Sequence, residues 1–134
     1  MKAKNLLSYP DILSSERTTN IDLASILDDC MGDKQLLQEL IALYHHNALE
    51  FIGASKIHLA NSDFKLLGLA AHKVKTGLAM MQSDGLHAII VLVQKECDGD
   101  CDPKHLQFLC DCFITEYPFV KGKIDEALVK LNLA

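Results

Sequence analysis

The chain has 134 residues, long enough for one domain to bury a core without disulfide or metal staples, since a chain of this size buries roughly two thirds of its unfolded surface. Trp is absent, aromatics make up 6% and only three prolines occur, a composition that favours helices over a sheet. Thirteen Lys and Arg against eighteen Asp and Glu leave a net charge of −5 spread along the chain, which excludes the basic footprint of a nucleic-acid binder.

Met1 to Pro10 carries Lys2 and Lys4 but only Leu6-Leu7 as an apolar pair, so it lacks the apolar centre of a signal peptide. No apolar run approaches the ~18 residues of a membrane span. Five cysteines, an odd number without an export signal, point to reduced thiols and a cytoplasmic protein. The Met start and an end just past the last helix read as a free-standing protein, and a piece cut from a larger kinase would read the same way. Residues 1–19 are polar and aperiodic and are expected to be a leader, with 20–134 as one helical domain.

Asp22 can cap a short first helix holding Leu23, Ile26 and Leu27, which Gly32 stops. Asp33 caps a much longer one, from Lys34 to about Ala60, with Leu37, Ile41, Tyr44, Ala48 and Phe51 as one apolar stripe and Leu36, Leu40 and Leu43 beside it. Asn61-Ser62-Asp63 is a short polar break in which Ser62 or Asp63 can cap the next helix. That helix carries Leu67, Ala71, Val74, Leu78 and Met81 at steps of four, three, four and three. Ser83-Asp84-Gly85 is the following break. Leu86, Ile89, Ile90 and Val93 then form a narrow apolar helix ending near Cys97. After the acidic loop Asp98 to Asp102, Asp102-Pro103 opens a last helix with Leu106, Leu109, Phe113, Ile124, Leu128 and Leu131. Pro118 predicts a kink near Tyr117, because it removes a backbone donor and crowds the turn before it. Short connections make neighbouring helices antiparallel, so the expected fold is all-α, an antiparallel four-helix bundle with a short additional N-terminal helix.

His72 stands off the apolar stripe of its helix. One turn either way lie Gly68, Leu69, Lys75 and Thr76, with Ala79 a further turn away. Small side chains therefore flank an imidazole that points away from the core, with Lys75 as the charge beside it. A lone surface histidine is usually a solvated residue of no consequence.

The run Ala71-His72-Lys73-Val74-Lys75-Thr76-Gly77, with Leu86 fourteen residues after the histidine and Ile90 and Val93 beyond it, resembles the histidine-containing phosphotransfer (HPt) domain of two-component phosphorelays. The likeness extends upstream through Asn20-Ile21-Asp22-Leu23, Gly32-Asp33 and Leu36 to Leu40 as far as Asn47-Ala48, and so spans about residues 20 to 132. Thr76 departs from it, standing where the family most often has Gly, and Gln82-Ser83 stand where a Gly-Ala pair often begins the turn.

The resemblance implies that His72 is phosphorylated on Nε2 and relays a phosphoryl group between aspartates of receiver domains, those of a hybrid histidine kinase and a response regulator. It further implies that the receiver brings the Mg²⁺, so no cofactor is expected in this chain. The chemistry suits imidazole, whose ordinary pKa near 6.5 leaves a nitrogen lone pair free at neutral pH. Lys75 is expected to stabilise the added phosphoryl oxygens. Gly68, Leu69, Thr76 and Ala79 are expected to form a shallow docking strip. The glycine has a competing explanation, close packing against a neighbouring helix. The expected protein is a monomeric phosphocarrier and not an enzyme, because it has no ATP-binding motif and no nucleophilic Ser or Cys with a plausible base.

Two rivals belong to other classes. The first is an interaction module of the same fold that binds a receiver or kinase without needing His72. The second is a metal-binding helical bundle, for which His46 and Glu50 have helical ligand spacing but no second histidine pair repeats it. Cys97, Cys101, Cys110 and Cys112 miss the CxxC knuckle, and the acidic loop lacks the closing Glu of a calcium site, so no metal ligands are expected and the remaining histidines read as solvated surface.

Overall fold

A computed structural model describes residues 21–133. The leader expected over residues 1–19, together with Asn20 and Ala134, lies outside the described residues. Five helices follow in order: α1 (Leu23–Asp29), α2 (Lys34–Ala60), α3 (Phe64–Met80), α4 (Asp84–Asp98) and α5 (Pro103–Lys130), with no strand among the described residues.

Aspartates begin four of the five. Asp22 accepts from the Ser25 N–H at 3.0 Å, Asp33 from Leu36 at 3.0 Å and Asp63 from Leu66 at 3.1 Å, while Asp102 takes the N–H groups of Lys104 and His105. Each satisfies a donor the helix cannot, a contribution of about 1 kcal/mol. Left-handed residues end the helices before them: Met31 and Gly32 after α1, Ser62 after α2 and Gln82 after α3, with φ of 57°, 78°, 54° and 58°. Ser62 is thus spent on reversing the chain, which leaves capping of α3 to Asp63.

The third break falls earlier than expected. Asp84 and Gly85 already belong to α4, and Met81-Gln82-Ser83 makes the turn. Ser83 sits at the N-cap without a side-chain cap bond; its buried hydroxyl instead meets the Tyr44 hydroxyl at 2.8 Å, tying the α3–α4 turn to α2. α5 runs without a break through Pro118.

The apolar stripes meet in one core. Leu37, Ile41, Tyr44, Ala48 and Phe51 of α2 are buried, as are Leu67, Ala71, Val74 and Leu78 of α3, Leu86, Ile89, Ile90 and Val93 of α4, and Leu106, Leu109, Phe113 and Ile124 of α5. Phe51 and Phe113 pack edge to face with centroids 5.0 Å apart. Each long helix packs on the next in sequence, α5 returns against α2, and α1 rests on α2 and α5. No helix among the described residues is long and apolar enough to cross a membrane.

Candidate functional site

α3 is buried along the side that carries Leu67, Ala71, Val74 and Leu78, so the residue after Ala71 must leave the core. His72 is exposed, more than two turns in from either helix end. It leans to the α4 side, where the Gln94 carboxamide lies 3.4 Å from Nδ1. Nδ1 is the engaged ring nitrogen and Nε2 is the outer one. An amide N–H facing an unprotonated Nδ1 leaves the neutral ring's proton on Nε2. Turned over, the amide carbonyl accepts from Nδ1–H and the lone pair sits on Nε2.

Gln94 is the neighbour of His72 that α3 alone does not reveal. Its signal is the symmetry of a helical hairpin: His72 lies eleven residues before Ser83 and Gln94 eleven after it, so the antiparallel pair α3 and α4 brings them level.

The two lysines beside His72 divide between the flanks of α3. Lys73 turns toward α2 and bonds Glu50 at 2.9 Å, and this partner holds the Glu50 carboxyl below its ordinary pKa. Lys75 is half-buried, and its helical position, one turn beyond His72, sets it on the α4 side of the helix. Of the two cations, Lys75 is the one whose helical position keeps it with the imidazole.

A cavity of about 830 Å³ opens beside the histidine, between the α2–α3 turn, α3 and the end of α4. His72, Gly68, Leu69, Gln94 and Cys97 line it, so it gathers three of the expected site residues. Lys75, Thr76 and Ala79 do not line it; they continue along α3 toward its C-terminal end. Leu69 is 57% exposed. For Gly68 the structure favours the packing explanation alongside its place on the cavity. A Cβ there would lie 3.2 Å from Cys97 Cβ, so this glycine first of all lets α3 and α4 approach, and a bulky residue would part them.

Two histidines expected on the solvated surface are packed instead. His105 Nδ1 meets Glu96 at 3.0 Å in a nearly dry pair, and Glu96 also accepts the Asp102 N–H, which fixes the α4–α5 connection. That loop is accordingly solvated only over Asp98, Gly99 and Asp100. His45 is half-buried at the α2–α5 contact with Nδ1 hydrogen-bonded to the Tyr117 hydroxyl, while its buried Nε2 has no partner among the described residues.

The cysteines are free. Burial, with smaller contributions from neighbouring thiols and carboxylates, pushes Cys97 up to about 11 and Cys110 up to about 12, so both are thiols at neutral pH and poor nucleophiles. Among the described residues, no group of three or more His, Cys, Asp and Glu is arranged to hold a metal. Compared with known proteins, the chain matches no family model, no curated protein and no solved structure.

Proposed function

We propose that this chain is a histidine phosphotransfer protein, an antiparallel four-helix bundle with a short leading helix that relays a phosphoryl group between receiver-domain aspartates through His72. The observation that carries the reading is an exposed imidazole, mid-helix, with Nδ1 facing Gln94 from the next helix and an open cavity at its side. The motif around His72 supports the same reading.

With the Gln94 amide turned over so that its carbonyl accepts from Nδ1–H, the Nε2 lone pair attacks the phosphorus of an aspartyl phosphate held by the partner. The P–N bond forms as the P–O bond to aspartate breaks, and the aspartate leaves as a carboxylate. The ring gains positive charge shared with Nδ1–H, which the Gln94 carbonyl faces and stabilises. Lys75 then lies near the transferred oxygens and offsets part of their charge of about −2. Attack by a second aspartate reverses every step. The protein's part is to position one nucleophile and leave its approach open.

The deciding experiment mixes the purified protein with a phosphorylated receiver domain. The expected result is a label on the protein that is labile in acid and stable in base, absent from His72→Gln. A protein that binds the receiver and never takes the label is the non-transferring module instead.

A further inference from the structure

We propose that the outer face of α2 and α3, on the flank of α3 away from His72, is the contact between two copies of this chain in a reversible homodimer. This is a departure from the monomer expected of the sequence, and it does not rest on the phosphotransfer reading.

Three rungs cross the α2–α3 hairpin. Glu50 and Lys73 form the middle one, bonded at 2.9 Å. Leu43 lies seven residues before Glu50 and Met80 seven after Lys73; Ile57 lies seven after Glu50 and Leu66 seven before Lys73. Seven residues are almost two helical turns, so in antiparallel helices these residues fall level, one apolar rung on each side of the ion pair. All four apolar side chains are exposed: Leu43 at 52%, Met80 at 44%, Ile57 at 59% and Leu66 at 43%. An apolar face of this regularity is not the scattered exposure that needs no explanation.

The order of charges identifies the occupant. The face carries one cation and one anion in its centre, side by side, on a chain whose net charge is −5. A two-fold axis parallel to the helices sets α2 of one copy over α3 of the other, which places Glu50 against the partner's Lys73 and Lys73 against the partner's Glu50. The same operation lays Leu43 on the partner's Met80 and Ile57 on the partner's Leu66. A two-fold axis across the helices would stack like charges, so the charges select one arrangement.

Size sets the strength. The 17 residues of α3 run ~25 Å. A face two helices wide is ~20 Å across, giving ~500 Å² per copy, below the ~800 Å² of a standard interface. The dimer is therefore weak and concentration-dependent. His72 lies ~100° around α3 from Lys73, so the dimer leaves both imidazoles open.

Sedimentation equilibrium of the full chain, from micromolar to millimolar, tests this. The expected mass rises with concentration toward twice the 14.8 kDa of one chain. Leu43→Asp, Glu50→Lys and Lys73→Glu each hold it at the monomer, and Glu50→Lys with Lys73→Glu together restores the dimer. Circular dichroism confirms that each variant is folded, and the charge variants, which alter exposed side chains, keep the test valid should Leu43→Asp unfold. A wild type monomeric throughout, or a dimer that none of the single variants weakens, overturns the proposal. A Leu43→Asp monomer is expected to take the phosphoryl label as the wild type does; a dimer without label would sink the carrier reading alone.

Discussion

The two flanks of α3 begin at adjacent residues and have opposite characters. On the α2 side, Lys73 is bonded to Glu50 and sits between apolar rungs, so its charge is already answered within the chain. On the α4 side, His72 meets a neutral amide at 3.4 Å and opens onto a cavity of about 830 Å³. One helix thus separates a neutralised face from an open one by a single step of ~100°. The difference lies in the neighbour: α2 offers a carboxylate at the level of Lys73, whereas α4 offers Gln94 at the level of His72, which orients the ring without pairing a charge to it.

The largest effect expected from breaking this contrast is all-or-none. His72→Gln should abolish the acid-labile label while leaving the thermal unfolding midpoint within a degree or two of wild type, because an exposed side chain off the core carries little stability. A midpoint lowered by many degrees would show that the ring is structural. Next is Gly68→Leu, which should destabilise by about 1–3 kcal/mol through overpacking, since its Cβ would already crowd Cys97. Urea unfolding measures it, and an unchanged midpoint would remove the close approach of α3 and α4 as the reason for the glycine.

Smaller again are the two residues placed around the imidazole. Gln94→Leu should slow phosphoryl gain by about tenfold, the loss of one oriented hydrogen bond of about 1.4 kcal/mol. Lys75→Ala should slow transfer by less, because a half-buried cation whose ammonium still reaches solvent contributes only ~0–1 kcal/mol beside a phosphoryl group. Single-turnover rates from a phosphorylated receiver separate them, and equal rates in all three proteins would strip both residues of their roles.

Much of this arrangement was legible in the sequence because it is local. The spacing of Leu67, Ala71, Val74 and Leu78 set the buried side of α3, and Asp22, Asp33, Asp63 and Asp102 cap the helices as their positions suggested. His72 is exposed for the same local reason. What escaped depends on contacts between helices. Gln94 acts across a hairpin, Gly68 answers to Cys97 twenty-nine residues later, and Ser83 serves Tyr44 rather than its own helix end. His45 and His105 look like surface histidines until Tyr117 and Glu96 are placed beside them.

His45 gives the side of α2 away from His72 a pH dependence of its own. Burial, then Lys121, lowers its pKa below the ordinary 6.5, against a smaller opposing effect of Asp125. The unfolded chain therefore binds the proton more readily than the folded one. The contribution to stability is fully present above about pH 6.5, falls as the pH drops from there through the lowered folded value, and levels off below it. Urea midpoints from pH 7.5 to 5 should show this decline, and His45→Gln should flatten it; a decline unchanged in the variant would assign it to another group.

The smallest effect should come from the residue next to His72. Lys73→Ala removes the bond to Glu50, yet both partners are half exposed or more, with side chains 67% and 48% accessible. Water already screens such a pair, and ordering two long side chains costs part of what the attraction gives, so the loss should be small. Salt distinguishes this from packing: at molar ionic strength, where the screening length falls to ~3 Å, the difference between wild type and variant should vanish. A difference that survives the salt would mean that the lysine's alkyl stem, and not its charge, holds α2 to α3. Phosphoryl transfer through His72 should be untouched at either ionic strength when each protein is compared with its own His72→Gln control. Any loss of transfer in Lys73→Ala would show that the two flanks of α3 are coupled.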